Sequence, residues 1–221
     1  YAWDGAWYLQ GYSDFGNKVG SSENQQGRIC LTPQAWAVYS QIGSEDRLVK
    51  CLEAVDKMLE SDNGCLVLYP AFTKADKNVG RLSIITPGMY ENASPYCHGS
   101  AFMIAANLVA GRADTALRLF RKVMPDSDNH PSSISGVEPY AFTNQYLGPD
   151  NLRAGVSVSG WITGTAGWMY KNMVNLMLGF KPGYKGVSIK PCIPGEWNEV
   201  SFSTTLRGTI YTIAIKRKGK N

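Results

Sequence analysis

Residues 155–179 read Gly155-Val-Ser-Val-Ser-Gly160-Trp-Ile-Thr-Gly164-Thr-Ala-Gly-Trp168-Met-Tyr-Lys-Asn172-Met-Val-Asn-Leu-Met-Leu-Gly179, and the two halves of the stretch obey different rules. The first half is small and hydroxylated, with Ser157, Ser159, Thr163 and Thr165 set among Gly160, Gly164 and Gly167. The second places Met169, Met173 and Leu176 at helical spacing, with Val174 and Leu178 on the flank. That periodicity predicts a helix over 161–178 with one face in a core. A Gly- and hydroxyl-rich turn leading into a helix can hold an anion. The first-turn N–H groups have no partner inside the helix, and Gly lets a ligand approach the backbone. The same residues also fit a plain helix cap, with Gly present for close helix packing. The rest of the chain has to decide between the two.

Moving upstream, a short helix is predicted over 138–146, opening on Glu138-Pro139-Tyr140, after a polar loop over 126–137. Asp114 opens another helix with Ala116, Leu119, Phe120 and Val123 inward, stopped by Pro125. A further helix starts at about Gly99 and runs through Phe102, Ile104, Ala105 and Leu108 to Gly111. Residues 65–97 read as a long connection with little regular structure, and connections of that length in a compact domain are usually functional. An αα-hairpin precedes it. Its first helix takes Thr32 as N-cap and Pro33 as first helical residue, and ends near Gln41. Ser44 caps the second, where Glu45 and Asp46 complement the helix dipole; Leu48, Leu52, Val55 and Leu59 form the apolar stripe, and Asn63-Gly64 ends it. Residues 1–31 read as irregular loop with one short helix at most. From 183 onward the pattern switches to period two, in 187–189, 200–202 and 211–215. The fold class expected is therefore mainly α. Paired helices with long alternate loops suggest that residues 1–182 are part of an α/α toroid whose long loops gather at one end around a cleft, and that 183–221 form a short β-sandwich segment.

Composition narrows the function. An apolar content of 44% with 18% charged residues describes a globular protein with a substantial core. Six Trp and twelve Tyr exceed what a core needs and suit sugar-stacking surfaces, because each pairs an apolar face with a polar tip. The net charge of +4 is scattered except at 216–220, which reads as a solvated terminus and not as a nucleic-acid patch. Five widely spaced cysteines without a Cys-x-x-Cys read as free buried thiols of a reducing, cytoplasmic compartment. Two histidines argue against a His-based metal site, and no apolar run is long enough for a membrane-spanning helix. The opening Tyr-Ala-Trp-Asp-Gly-Ala-Trp lacks a Met and reads like the middle of a domain, so more chain is expected upstream.

Two loop segments carry chemistry. One is Glu91-Asn-Ala-Ser-Pro-Tyr-Cys-His98, ending at a helix start; the other is Glu138-Pro-Tyr140, just before Asn144-Gln145. Taken alone, His98 fits a capping or core histidine as well as a ligand donor, Glu91 and Glu138 fit loop bracing, and Asp4 fits a turn. Together with Trp3-Asp-Gly-x-Trp7, Gly20-Ser-x-Glu-Asn24, Pro33-Gln-Ala-Trp-Ala37 and Trp161-Ile-Thr-Gly-Thr-Ala-Gly-Trp168, they resemble, in order and over nearly the whole chain, the inverting cellobiose-type glycoside phosphorylases (glycoside hydrolase family 94). That family includes chitobiose, cellodextrin and cellobionic acid phosphorylases.

The resemblance implies an (α/α)6 catalytic barrel, of which residues 1–182 would be the C-terminal part, and cleavage of a β-linked disaccharide by inorganic phosphate, which is a co-substrate and no cofactor, to give an α-sugar 1-phosphate. It implies that His98, Thr163 and Gly164 hold phosphate, and that Glu91, Glu138 and Asn144 or Gln145 contact sugar. Several family members carry Gln where Asn144 stands. The family's general acid lies in an upstream Asp-Trp-Asn-Asp-like motif that this sequence lacks, so no catalytic acid is assigned within it and Asp4 is read as a brace of the cleft wall. Lys77 and Arg81 make one loop cationic, fitting either a solvated face or an acidic leaving group. A homodimer of the longer protein, or a partner chain supplying the upstream half, is the expected assembly. A non-catalytic sugar-binding chain and an α/α-toroid hydrolase are the alternatives.

Overall fold

The structure, a computed structural model, describes residues 2–125 and 130–218. The start of the loop expected over 126–137 and the end of the chain from 219, with the last two residues of the basic tail, lie outside the described residues. Among the described residues there are six α-helices: α1 (Leu31–Tyr39), α2 (Glu45–Met58), α3 (Cys97–Val109), α4 (Ala113–Val123), α5 (Ser132–Ser135) and α6 (Thr165–Lys171), the last continuing into a π-helical turn, Asn172–Met177. The strands are short and antiparallel, and all the sheets are two-stranded.

The organising element is α3. Its sequence is apolar on every side, and Ala101, Met103, Ile104, Ala105, Ala106 and Leu108 are all buried, as expected of a helix enclosed by neighbours. On one side lies α1, where Trp36 meets Phe102 at 5.2 Å and Leu31 abuts Gly99. On the other lies α6, where Trp168 meets Phe102 at 4.8 Å and Gly164 abuts His98. In each pair N-terminal residues meet N-terminal residues, so α1, α3 and α6 run parallel, with their starts at one end of the molecule. The amphipathic α2 packs on α1 and α4 packs on α3. One core joins them all, from Trp7 and Ile29 to Tyr146 and Met177.

Several local expectations are corrected. The N-cap of α1 is Cys30, so Thr32 and Pro33 stand second and third in the helix; Pro is still accommodated because first-turn N–H groups make no intrahelical bond. Ser44 does cap α2, without a side-chain hydrogen bond, and α2 ends at Met58, before Asp62-Asn63 turns a hairpin between Glu60–Ser61 and Gly64–Cys65. Residues 2–30 contain no helix; they form the hairpin Gly11–Tyr12/Lys18–Val19 and the strand Ile29–Cys30, which pairs with Leu68–Tyr69. The helix expected over 138–146 is a strand, Thr143–Tyr146, paired with Ser157–Gly160. That partner takes the start of the hydroxyl-rich stretch out of any turn. The helix expected over 161–178 begins only at Thr165.

The C-terminal residues form two hairpins, Phe180–Gly183/Gly186–Ile189 and Glu199–Leu206/Thr209–Lys216. They meet where the Phe180 ring faces Phe202 at 6.1 Å and Tyr211 at 5.9 Å. The first of these strands straddles residue 182, where the change of pattern was expected. Cys30, Cys51, Cys65 and Cys97 are free and buried, and Cys192 is half-buried.

Candidate active site

The three parallel helices put two of the singled-out segments side by side. His98 is the second residue of α3 and Gly164 immediately precedes α6. A Cβ placed on Gly164 would stand 2.8 Å from Cε1, 3.2 Å from Nε2 and 3.3 Å from Nδ1 of His98. Near-equal distances to three ring atoms mean that the Gly164 backbone lies over the face of the imidazole. The ring also packs against Phe102, centroids 4.6 Å apart. Its Nε2 is shielded from solvent and has no hydrogen-bond partner in the chain. Burial lowers the His98 pKa, which favours the neutral ring.

Thr163 is oriented from the helix side. Its Oγ1 accepts the N–H of Thr165 at 3.1 Å and lies 2.6 Å from the Thr165 hydroxyl. When Thr165 donates in both contacts, the Thr163 proton is free for an outside acceptor. Ile162 is fixed too: Asn144 Nδ2 donates to its carbonyl at 3.1 Å.

Beside His98 opens a cleft of about 330 Å³, lined by Glu91, Tyr96, His98 and Phe102 from the α3 side, and by Gln10, Thr32 and Phe72 among others opposite. The cleft sits at the N-terminal ends of α1 and α3, where unpaired N–H groups favour negative charge. Cys30 also lines it, but burial pushes its thiol up to about 12, so it is no nucleophile at neutral pH.

The other expected residues fall in different places. Glu138 is exposed and sits at the end of the strand Ser157–Gly160, its Oε2 3.7 Å from where a Gly160 Cβ would be. Gln145 is fully buried, its Oε1 2.8 Å from the Ser94 hydroxyl and its Nε2 without a partner among the described residues. Lys77 and Arg81 are exposed; the Lys77 ammonium lies 5.6 Å over the Phe15 ring. Among the described residues no group of three or more His, Cys, Asp or Glu could hold a metal ion, and no helix is long and apolar enough to cross a membrane.

Asp4 is a brace. Its carboxylate accepts the N–H groups of Ala6, Trp7 and Ser22 and the hydroxyls of Ser21 and Ser22. Desolvation works to raise its pKa, but the hydrogen bonds from Ser22, Trp7 and Ala6 outweigh it and hold the group below its ordinary value. A proton donor to a leaving oxygen needs the opposite shift. Two features escape the sequence reading, Ser94 under Gln145 and the aromatic backing of His98. A hydroxyl at 94 and a Phe one helical turn after His98 were the only signals available.

Residues 1–179 match the catalytic domain of the glycosyl hydrolase 94 superfamily, and the chain belongs to that family. It is 48% identical over 99% of its length to solabiose phosphorylase of Paenibacillus borealis. It is 31% identical over 97% of its length to N,N'-diacetylchitobiose phosphorylase of Vibrio proteolyticus, and 30% identical over 97% to cellobionic acid phosphorylase of Neurospora crassa. The chain spans 28%, 27% and 28% of the lengths of those three relatives.

Proposed function

We propose that this chain supplies the phosphate-binding wall, and part of the sugar-binding wall, of an inverting phosphorylase acting on a β-linked disaccharide. The observation that carries the reading is the His98 ring under Gly164, with an unpartnered Nε2 beside the cleft that Glu91 also lines. An inorganic phosphate there would accept from His98 Nε2–H, the Thr163 hydroxyl and the Gly164 N–H, all fixed before it arrives. With the pKa lowered by burial, the ring can donate from Nε2 in the tautomer that carries its proton there. Phosphate oxygen attacks the anomeric carbon on the face opposite the leaving sugar, the glycosidic C–O bond breaks, and configuration inverts from β to α. The leaving oxygen takes its proton from a carboxylic acid outside these residues, since Asp4 is held as an ionised acceptor. Glu91 and Glu138 would accept hydroxyl protons of the transferred sugar.

The wider arrangement proposed is a closed α/α toroid to which α1–α4 and α6 contribute an arc, in a cytoplasmic and homodimeric protein. The test is phosphate-dependent release of sugar 1-phosphate by the intact enzyme from solabiose, cellobiose, cellobionate and chitobiose, with the anomer read by NMR. An α-sugar 1-phosphate is expected, and the 221-residue chain alone should release none. Hydrolysis that ignores phosphate would overturn the reading in favour of a hydrolase.

A further inference from the structure

The strand Thr143–Tyr146 touches both segments that meet at His98 and Gly164, and its two central residues reach in opposite directions. The Gln145 side-chain amide meets the Ser94 hydroxyl at 2.8 Å, and that hydroxyl, whose single proton can serve one acceptor at a time, also contacts the Tyr90 carbonyl, inside the segment that leads into α3 and His98. The Gln145 backbone also bridges to Tyr96, two residues before His98. Asn144, on the other face, donates from Nδ2 to the Ile162 carbonyl, next to Thr163. Successive strand residues point to opposite sides, so one two-residue unit grips both segments that converge on the site. Ser159 and Trp161, at the far end of the partner strand, hold φ of 60° and 68°, a region non-glycine residues rarely adopt. Something must keep that turn in place, and the Asn144 amide is bonded to it.

We propose that Asn144 and Gln145 are positioning residues, a cross-tie that sets the spacing between His98 and the Thr163–Gly164 turn and hence the affinity for phosphate. The inference rests on the phosphate reading of the site. It gives Asn144 a structural target of its own, the Ile162 carbonyl.

The experiment uses the intact enzyme with Asn144→Leu, Asn144→Gln and Ser94→Ala. Asn144→Leu keeps the side-chain bulk and removes the amide; Asn144→Gln restores it on a longer arm; Ser94→Ala loosens the opposite grip. The expected result is a KM for phosphate raised about threefold to tenfold in Asn144→Leu, of the size expected for losing one hydrogen bond that orients the turn. KM for the disaccharide should move less than about twofold, Asn144→Gln should recover part of the loss, and Ser94→Ala should shift phosphate KM in the same direction. Amide hydrogen exchange gives a second readout that does not need turnover: residues 161–165 should exchange faster in Asn144→Leu while 101–108 of α3 stay unchanged. A rise in disaccharide KM with phosphate KM unchanged would overturn the proposal and make Asn144 a sugar ligand. Unchanged exchange at 161–165 would overturn it as well. A wild-type enzyme without phosphorolysis defeats the functional reading instead, and the exchange result then still decides whether the cross-tie exists.

Discussion

The backbone of Gly164 covers one face of the His98 ring, leaving no room for a side chain between them. His98 cannot simply step aside, because Phe102 backs it at 4.6 Å. Gly164→Ala should therefore displace either the imidazole or the start of α6. The expected cost is about 1–3 kcal/mol of stability from overpacking, together with a phosphate KM raised tenfold or more. Gly167→Ala is the control. It sits in α6 with nothing within 4 Å of the added methyl, and its φ is not in the left-handed region. There the substitution should stabilise by roughly 0.5–1 kcal/mol. Denaturant titration of both variants, with phosphate kinetics, checks the pair.

Burial lowers the pKa of His98 and of His130; at His130 the hydrogen bond to the Lys122 carbonyl opposes burial without overcoming it. In both cases the unfolded chain takes up a proton at a higher pH than the folded one does. Stability should thus fall as pH drops below about 6.5, the ordinary histidine value, until the folded pKa is reached. Unfolding free energies between pH 7.5 and 5 should show this slope, and His130→Gln should flatten it. Bound phosphate should act the other way at His98. An anion beside the ring raises its pKa, so binding near neutral pH should take up protons, measurable by calorimetry in buffers of different ionisation enthalpy.

Asp4 joins the residues around Trp7 to the 20–24 turn, and Trp7 in turn donates its Nε1–H to the carbonyls of Gly20 and Arg28. Asp4→Ala leaves three backbone N–H groups and two hydroxyls without this acceptor, and should cost about 2–4 kcal/mol. Because its pKa is lowered by folding, the contribution is fully present above the ordinary carboxylate value near 4 and is lost as pH falls through the lowered one. Urea melts of wild type and variant at pH 7 and pH 3 should differ less at the lower pH. A loss of phosphorolysis in Asp4→Ala without any loss of stability would instead make it the acid.

Arg81 is exposed, and its guanidinium suits two-point recognition of a carboxylate. In the intact enzyme Arg81→Ala should raise KM for cellobionate about tenfold more than for cellobiose. Equal changes would return the loop to the role of a solvated face.

What the sequence disclosed follows from how local each signal is. The α2 and α4 stripes, the Ser44 cap and the period-two strands after 183 depend on neighbours within a few residues, and they were legible. The strand Thr143–Tyr146 was not. Glu138-Pro139 looks like a helix start, and only pairing with Ser157–Gly160, across a loop, makes the segment extended. The same pairing turned Ser157 and Ser159 from turn residues into strand residues. His98 beside Thr163 and Gly164 was expected from the resemblance, whereas the burial of Gln145 depends on Ser94, 51 residues away, which periodicity cannot reveal.

The π-helical turn Asn172–Met177 has a consequence for chain length. Asn172 and Met177 are both buried, and Asn172 Nδ2 donates to the Ala101 carbonyl in α3 at 2.7 Å. Residues five apart in an α-helix, at about 100° per residue, would point well away from each other. The wider winding, in which Leu178 donates to the Met173 carbonyl, brings them back to one side. The segment therefore carries one residue more than an α-helical version of the same contact surface would need. Deleting Asn175 would convert the spacing from five to four, return the winding to α, and leave both anchors against α3 and Phe180 at its post. Chain length can thus change by one residue here while both anchors keep their side of the helix.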